Sequence, residues 1–340
     1  LESQVIQLRL LAATSLLALA AGTVASHADT LDQVRKTGML RCGADEARED
    51  YTRMDTHGDL SDLAIEVCKA VAVAVLGPGG KTDVHEWPDE LHMMNALRDG
   101  GNDLAIGASP AKYDVPGFNV AFGPTVFSDG QSLLVARGIH AVADLGGKRI
   151  CFVDDATLGE NLESSMRGLG VHYLPFVFSE LGEMLAAAGD GRCGAITGNL
   201  SQLINMSVGF APIEKNFTLL PVMLTDDPVA PAFRTGDPRW AGVVGAVVDT
   251  LMRAEQLGVT AANVTGMTHS ADPRIQALLA PRDGVGARDL PSGWAVTMLR
   301  SVGNYGEIFD RTLGAESDFN LPRHEGKAAA TSTTGAAVRL

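Results

Sequence analysis

The sequence predicts an α/β protein of two lobes, on three observations. Short apolar strand patterns alternate with helical ones, which is the mark of a mostly parallel sheet covered by helices. The alternation starts afresh at Gly147, so there are two such units. Two apolar, extended segments, Gln131 to Arg137 and Leu219 to Arg234, flank the second unit, where the chain must cross into it and return. A chain of 340 residues also exceeds what one hydrophobic core usually holds.

Residues 1–28 are built differently from the rest. Arg9 precedes the apolar run Leu10 to Ala21, and a small-residue stretch closes at Ser26-His27-Ala28, which is the pattern of a secretory signal peptide. Its apolar run falls short of the about 18 to 20 residues that cross a membrane. The next strand is Met39 to Gly43. Leu63 to Val75 follows as a helix, with Leu63, Val67, Val71 and Val75 on one face, Ser61 and Asp62 placed to cap it and Gly77-Pro78 to stop it. Further strands are read at Thr82 to Glu86, Asp103 to Ile106 and Leu133 to Ala136, with a helix at Glu90 to Arg98. The second unit begins with a strand at Gly147 to Val153. It continues with a helix at Asn161 to Gly168, a strand at Tyr173 to Phe178, a helix at Leu181 to Ala188 and a strand at Cys193 to Thr197. Helices at Arg239 to Leu257, Pro273 to Leu279 and Trp294 to Leu313 then return to cover the first lobe. The expected organisation is lobe one over residues 29–132 plus 228–314, lobe two over 133–227, and a flexible polar tail over 315–340.

Four cysteines, at 42, 68, 151 and 193, form an even set in an exported chain, so two disulfides are expected over free thiols. Three pairings are open; the local one, Cys42 with Cys68 and Cys151 with Cys193, would staple each half once. Zinc needs close pairs such as C-x2-C, and none occurs. The net charge of −14 disfavours nucleic acid and anionic membrane surfaces as partners. No cofactor is expected.

Several blocks carry a family likeness: residues 30–43 (TLDQVRKTGMLRCG), 68–72 (CKAVA), 129–131 (DGQ), 191–193 (GRC), 261–264 (AANV) and 302–311 (VGNYGEIFDR). Through them the chain resembles the general L-amino-acid-binding protein of polar amino acid ABC importers (solute-binding protein family 3), from about residue 30 to 314. All four cysteines fall where that family has its own. The resemblance implies a type II periplasmic binding fold with a two-strand hinge, a small solute held between the lobes of a monomer, and hand-over to an inner-membrane permease.

In such folds the ligand lies outside the carboxyl ends of the strands, and there the chain departs from its resemblance. Where the family holds the ligand's carboxylate with an arginine fork, this chain has residues 107–113 (GASPAKY), with Ser109 and, as nearest cation, Lys112. Where the family has Gly-Thr-Thr in the second lobe, it has Asp154, Asp155, Ala156 and Thr157. Where the family offers an aspartate to the ligand's ammonium, it has Asn199. Tyr51 completes the expected ligand-binding set, as a platform, with Trp87 a second candidate platform or a core residue.

Acids crowd the strand ends: Asp45, Glu46, Glu49, Asp50, Asp89, Glu90, Asp154 and Asp155. They would favour a cationic ligand such as a polyamine or metal ion, or else serve as solvated charges and helix caps. His85 to His92 holds two histidines and three carboxylates, which cannot all converge across a strand, a proline turn and a helix start. Loss of importer function, leaving an accessory or sensor protein, is a further alternative. Dehydratases acting on prephenate-like acids use this fold, but no nucleophile-and-base order stands out, so binding and not catalysis is expected.

Overall fold

The computed structural model describes residues 29–45, 53–54, 60–280, 286–317, 319 and 321; the leader read over 1–28, Tyr51 and the tail beyond Leu321 lie outside the described residues. In chain order the first elements are α1 (Thr30–Thr37), β1 (Met39–Asp45), β2 (Arg53–Met54), β3 (Leu60–Ser61), α2 (Leu63–Leu76), β4 (Lys81–Trp87) and α3 (Glu90–Arg98). Next come β5 (Leu104–Ala108), α4 (Pro110–Tyr113), β6 (Val120–Phe122), β7 (Phe127–Ser128) and β8 (Gln131–Ala136). Then follow β9 (Arg149–Val153), α5 (Ala156–Gly168), β10 (Leu174–Phe178), α6 (Leu181–Gly189), β11 (Ala195–Asn199), α7 (Leu200–Gly209), α8 (Ala211–Asn216) and β12 (Phe217–Leu219). The chain closes with β13 (Pro228–Arg234), α9 (Pro238–Gln256), α10 (Val264–Met267), α11 (Pro273–Leu279), α12 (Trp294–Val302) and α13 (Tyr305–Thr312).

Two mixed sheets organise two α/β lobes. The first has the order β4-β1-β5-β13-β6, with β7 added on β13; β4, β1 and β5 are parallel, and β13 runs against β5 and β6. The second has the order β10-β9-β11-β8-β12, where β10, β9 and β11 are parallel and β8 runs against both β11 and β12. Each sheet repeats one device: its first parallel strand, β1 or β9, has the next strand on one side and the third on the other. That makes a topological switch point, and the crevice beyond the carboxyl ends there is where such sheets bind ligands.

The helix over Leu63 to Leu76 starts as its sequence indicates, with the Asp62 carboxylate accepting from the N–H of Ile65 at 2.6 Å. It is buried almost all round, Ile65, Cys68, Ala70 and Val73 included, because α9, α12 and α13 pack on it opposite the sheet. Hence it reads as more than a single apolar stripe. Trp294 to Leu313, read as one helix, is two. Gly303 takes φ +79°, which interrupts helical geometry, and Asn304 with Glu307 forms a capping box that starts α13. The helix read at Asn161 to Gly168 begins earlier, at Ala156, because Asp155 caps it. The segment Leu219 to Arg234, read as one strand, is split into β12 and β13 by residues 220–227. Where a flexible tail is expected from Ala315, the described residues are packed: Phe319 and Leu321 are buried against the first lobe's core, and the Leu321 N–H bonds the Leu313 carbonyl at 2.9 Å.

Cys42 is joined to Cys68, with 6.5 Å between Cα atoms, and Cys151 to Cys193, with 5.8 Å. The first ties β1 to α2 in lobe one, and the second ties β9 to the turn before β11 in lobe two. Each lobe therefore carries one covalent staple in its own core.

Candidate functional site

The lobes are joined by two segments that run side by side. The N–H of Asp129 donates to the Asp227 carbonyl at 2.8 Å, that of Leu224 to the Gln131 carbonyl at 2.7 Å, and that of Gln131 to the Thr225 hydroxyl at 2.8 Å. Gly130 sits where a Cβ would lie 1.9 Å from the Thr225 carbonyl oxygen, so only glycine permits the approach. The two crossing segments are thus a short hydrogen-bonded ribbon, and the carboxyl ends of β5, β9 and β11 all reach its neighbourhood through side chains or the next helix.

On the first lobe, Ser109 follows β5 and starts α4. Its hydroxyl accepts from the N–H of Ala111 at 3.3 Å and donates to the Asp227 carboxylate at 2.5 Å, linking the strand end to the returning crossing segment. Lys112, one turn on, is exposed and paired with Glu90 at the start of α3, 3.4 Å away. Its charge is therefore already partly countered. Trp87, the last residue of β4, packs against the cluster of Met93, Met94, Leu97 and Ala108 and stacks tilted on His85 with centroids 4.4 Å apart. Trp87 is thus half-buried on that cluster at the strand end, and among the described residues its indole N–H has no partner.

On the second lobe, the Asp154 N–H donates to the Phe178 carbonyl at 2.8 Å, holding the ends of β9 and β10 together. The Asp155 carboxylate accepts from the Leu158 N–H at 2.9 Å, and Thr157 is exposed in the first turn of α5. Asn199 ends β11 and stands at the N-cap of α7 without a side-chain capping bond. It lies opposite Gln131 in the β11–β8 register. Gln131 is 1% exposed; its amide N–H groups reach the Leu158 carbonyl at 3.1 Å and the Thr197 hydroxyl at 2.9 Å, so it pins α5 to the crossing strand. The α7 start is tied in too, by Leu200 N–H to the Gly130 carbonyl at 3.0 Å and by Ser201 to Asp129.

The structure therefore groups Asp154, Asp155 and Thr157 at one corner, with Asn199 on the adjoining strand, and Ser109 with Lys112 at the end of β5 in the other lobe. Asp89 and Asp155, counted among the acids at the strand ends, are occupied as caps: Asp89 accepts from the His92 N–H at 2.8 Å and from its ring at 2.8 Å. Accepting those bonds holds the Asp89 carboxyl below the usual carboxylate range. Among the described residues no three His, Cys, Asp or Glu side chains are grouped to hold a metal ion. Sequence reasoning missed Gln131, Asp129 and Asp227 as site-framing residues. The signal for the last was the polar break Thr225-Asp226-Asp227 inside an otherwise apolar stretch.

The blocks that carry the family likeness near the C-terminus are structural. The Glu307 carboxylate accepts from the Ala261 N–H at 3.1 Å, Asn304 donates to the Val259 carbonyl at 2.8 Å, and the Tyr305 hydroxyl donates to the Val126 carbonyl just ahead of the first crossing segment. Two distant blocks of sequence thus meet in one joint behind the hinge.

No family model matches the chain. It is 31% identical over 314 residues to the general L-amino acid-binding periplasmic protein AapJ of Rhizobium johnstonii, covering 90% of this chain and 91% of that one. It is 29% identical over 314 residues to the glutamate/glutamine/aspartate/asparagine-binding protein BztA of Rhodobacter capsulatus, covering 91% and 92%. A solved periplasmic binding protein of an ABC transporter from Brucella ovis, with glutathione bound, aligns with TM-score 0.70 and 30% identity over 87% of this chain and 94% of its own. The unliganded, open L-cystine solute receptor of Neisseria gonorrhoeae shares the fold at TM-score 0.51 and 15% identity, over 68% and 94%.

Proposed function

The chain belongs to the periplasmic solute-binding proteins of polar amino acid ABC importers, and from that premise we propose that its solute is an amino acid, held by Ser109, Lys112, Asp154, Asp155, Thr157, Asn199 and Tyr51 between lobes that close about the crossing ribbon. Lobe one comprises residues 29–132 with 228–314, and lobe two residues 133–227. The protein acts as a monomer, is exported by cleavage of residues 1–28, and delivers its solute to the inner-membrane permease. It is a binding protein and not an enzyme, as its relatives are.

The observation that carries the reading is the paired switch points, joined by a ribbon only a few residues long. Strand ends on both lobes meet there, so a solute bridging them favours closure by whatever contacts it makes to both halves. The unbranched side chain of Lys112 supplies a positive charge in place of a fork, which suits a carboxylate held at one oxygen.

A second reading has a specific support, the glutathione in the Brucella relative. Glutathione presents a free α-ammonium and α-carboxylate on its γ-glutamyl residue, so the same amino-acid head-group site would accept it with the remainder of the peptide lying along the cleft. The cationic-ligand alternative loses one of its acids, Asp89, which is taken up by the His92 N–H and ring.

The test is a thermal-shift screen of refolded, ligand-stripped protein against the twenty L-amino acids, glutathione, polyamines and divalent ions. A ligand at one hundred times its Kd stabilises by about 2.7 kcal/mol. Stabilisation by one or more amino acids is expected. A response to glutathione with none to free amino acids selects the second reading, and a response confined to polyamines or metal ions rejects both.

A further inference from the structure

We propose that Asp227, in the returning crossing segment, is the counter-ion for the ligand's α-ammonium group and sets the requirement for an amine. The proposal rests on the amino-acid reading above and names the residue that replaces the charge absent at Asn199.

Asp227 lies where β13 enters the first sheet, with its backbone carbonyl fixed by the Asp129 N–H and its carboxylate by the Ser109 hydroxyl. Ser109 is 3% exposed and stands at the carboxyl end of β5, on the side of the sheet's switch point where ligands are received. The hydroxyl's one hydrogen is spent on Asp227, so toward anything beyond it Ser109 can only accept. The pair therefore presents hydrogen-bond acceptors and a full negative charge. Among the described residues no basic side chain lies within ion-pair distance of Asp227, whereas the nearest candidate cation of the site, Lys112, is held by Glu90. A half-buried carboxylate with a neutral donor and no cation is electrostatically incomplete, and an ammonium with three N–H donors completes it. Asn199, the position from which the family's aspartate is missing, keeps an acceptor but has no charge, so amine recognition on lobe two alone is weak. Placing the charge on the crossing segment also sets the ammonium beside the ribbon about which the lobes turn, where both halves can close over it.

The experiment is titration calorimetry on wild type, Asp227→Asn and Ser109→Ala. The twenty L-amino acids and glutathione are ranked on wild type, and the tightest binder is then compared with its counterpart carrying hydrogen in place of the α-ammonium. Asn preserves an acceptor for Ser109, so a residue that only pins the crossing segment would leave binding unchanged. The expected result is a loss of roughly ten- to hundredfold in affinity for the amine-bearing ligand in Asp227→Asn, the scale of a charged hydrogen bond, with little change for the des-amino counterpart. Ser109→Ala, which keeps the charge, retains the preference for the amine. Unchanged affinity and unchanged preference in Asp227→Asn, at a melting temperature equal to wild type, overturn the proposal and leave the amino-acid reading standing. Failure of wild type to bind any of these amine-bearing ligands overturns both.

Discussion

Asp129, 1% exposed in the first crossing segment, accepts from both the backbone N–H of Ser201, at 2.7 Å, and its hydroxyl, at 2.6 Å. One carboxylate so locks the hinge to the first turn of α7. Removing it leaves two buried donors without this acceptor, and orphaned buried groups cost more than the bond itself was worth. Asp129→Ala is expected to destabilise by about 2 to 4 kcal/mol and Ser201→Ala by about 1 kcal/mol. Urea unfolding checks this: the midpoint should fall with the slope unchanged. Equal stability of Asp129→Ala and wild type would mean that Asp129 is not a clamp.

A second expectation concerns the contact between the crossing segments. Gly130→Ala places a methyl 1.9 Å from the Thr225 carbonyl oxygen, a backbone atom that cannot swing away as a side chain would. The ribbon must part, at a cost of about 3 kcal/mol or more. Gly245→Ala, midway along α9 with open space about the new carbon, should stabilise by about 0.5 to 1 kcal/mol. Thermal melts of the two variants should move in opposite directions; movement in the same direction refutes the packing of the ribbon.

The contrast between those two glycines shows what sequence could tell and what it could not. Alternating strand and helix patterns located β1, β4, β5, β9, β10 and β11 to within a few residues, because period and capping are local properties: Asp62 sits just before Leu63 in both views. The break at Gly303, the splitting of Leu219 to Arg234, and α7 with α8 were not legible, since each is decided by what the segment meets in the fold. The candidate site was half legible. Ser109 and Asn199 fall at strand ends that the pattern marks. Asp227 acquires its meaning only through a hydroxyl 118 positions earlier in the chain, and nothing local announces such a pairing.

The disulfides lead to a third expectation. Cys151–Cys193 closes a loop of 42 residues and Cys42–Cys68 one of 26, which by loop-closure entropy stabilise by roughly 4 and 3.5 kcal/mol. Neither buried cluster of lobe two approaches the size of lobe one's main core, so its staple matters more to it. A Cys151→Ala, Cys193→Ala double variant should lower the melting temperature more than Cys42→Ala, Cys68→Ala, and should unfold lobe two ahead of lobe one. Hydrogen exchange read peptide by peptide distinguishes the order; earlier exchange in residues 63–76 than in 149–199 would refute it.

The last expectation is a pH dependence seated far from the cleft. Glu66 is buried at the heart of lobe one, paired with Arg311 and, at 3.0 Å, with Lys69. Burial alone pushes its carboxyl up, but the charges and hydrogen bonds of Arg311 and Lys69 outweigh burial and hold it below its ordinary value of 4.5. Because the native state binds its proton less readily than the unfolded chain does, the group contributes stability that is complete above the ordinary carboxylate value. That contribution fades as pH falls through the lower native value. Glu66→Gln keeps an acceptor for Arg311 and abolishes the titration. It should therefore be less stable than wild type at pH 7, by about 1 to 3 kcal/mol as for other hydrogen bonds to charged groups, and the gap should narrow as the pH is lowered from 5 toward 3. Denaturant melts of both proteins at pH 7, 5, 4 and 3 measure that gap. A gap that stays constant across the series would mean that Glu66 holds Arg311 by shape and not by charge, while one that widens in acid would reverse the sign assigned to the native carboxyl.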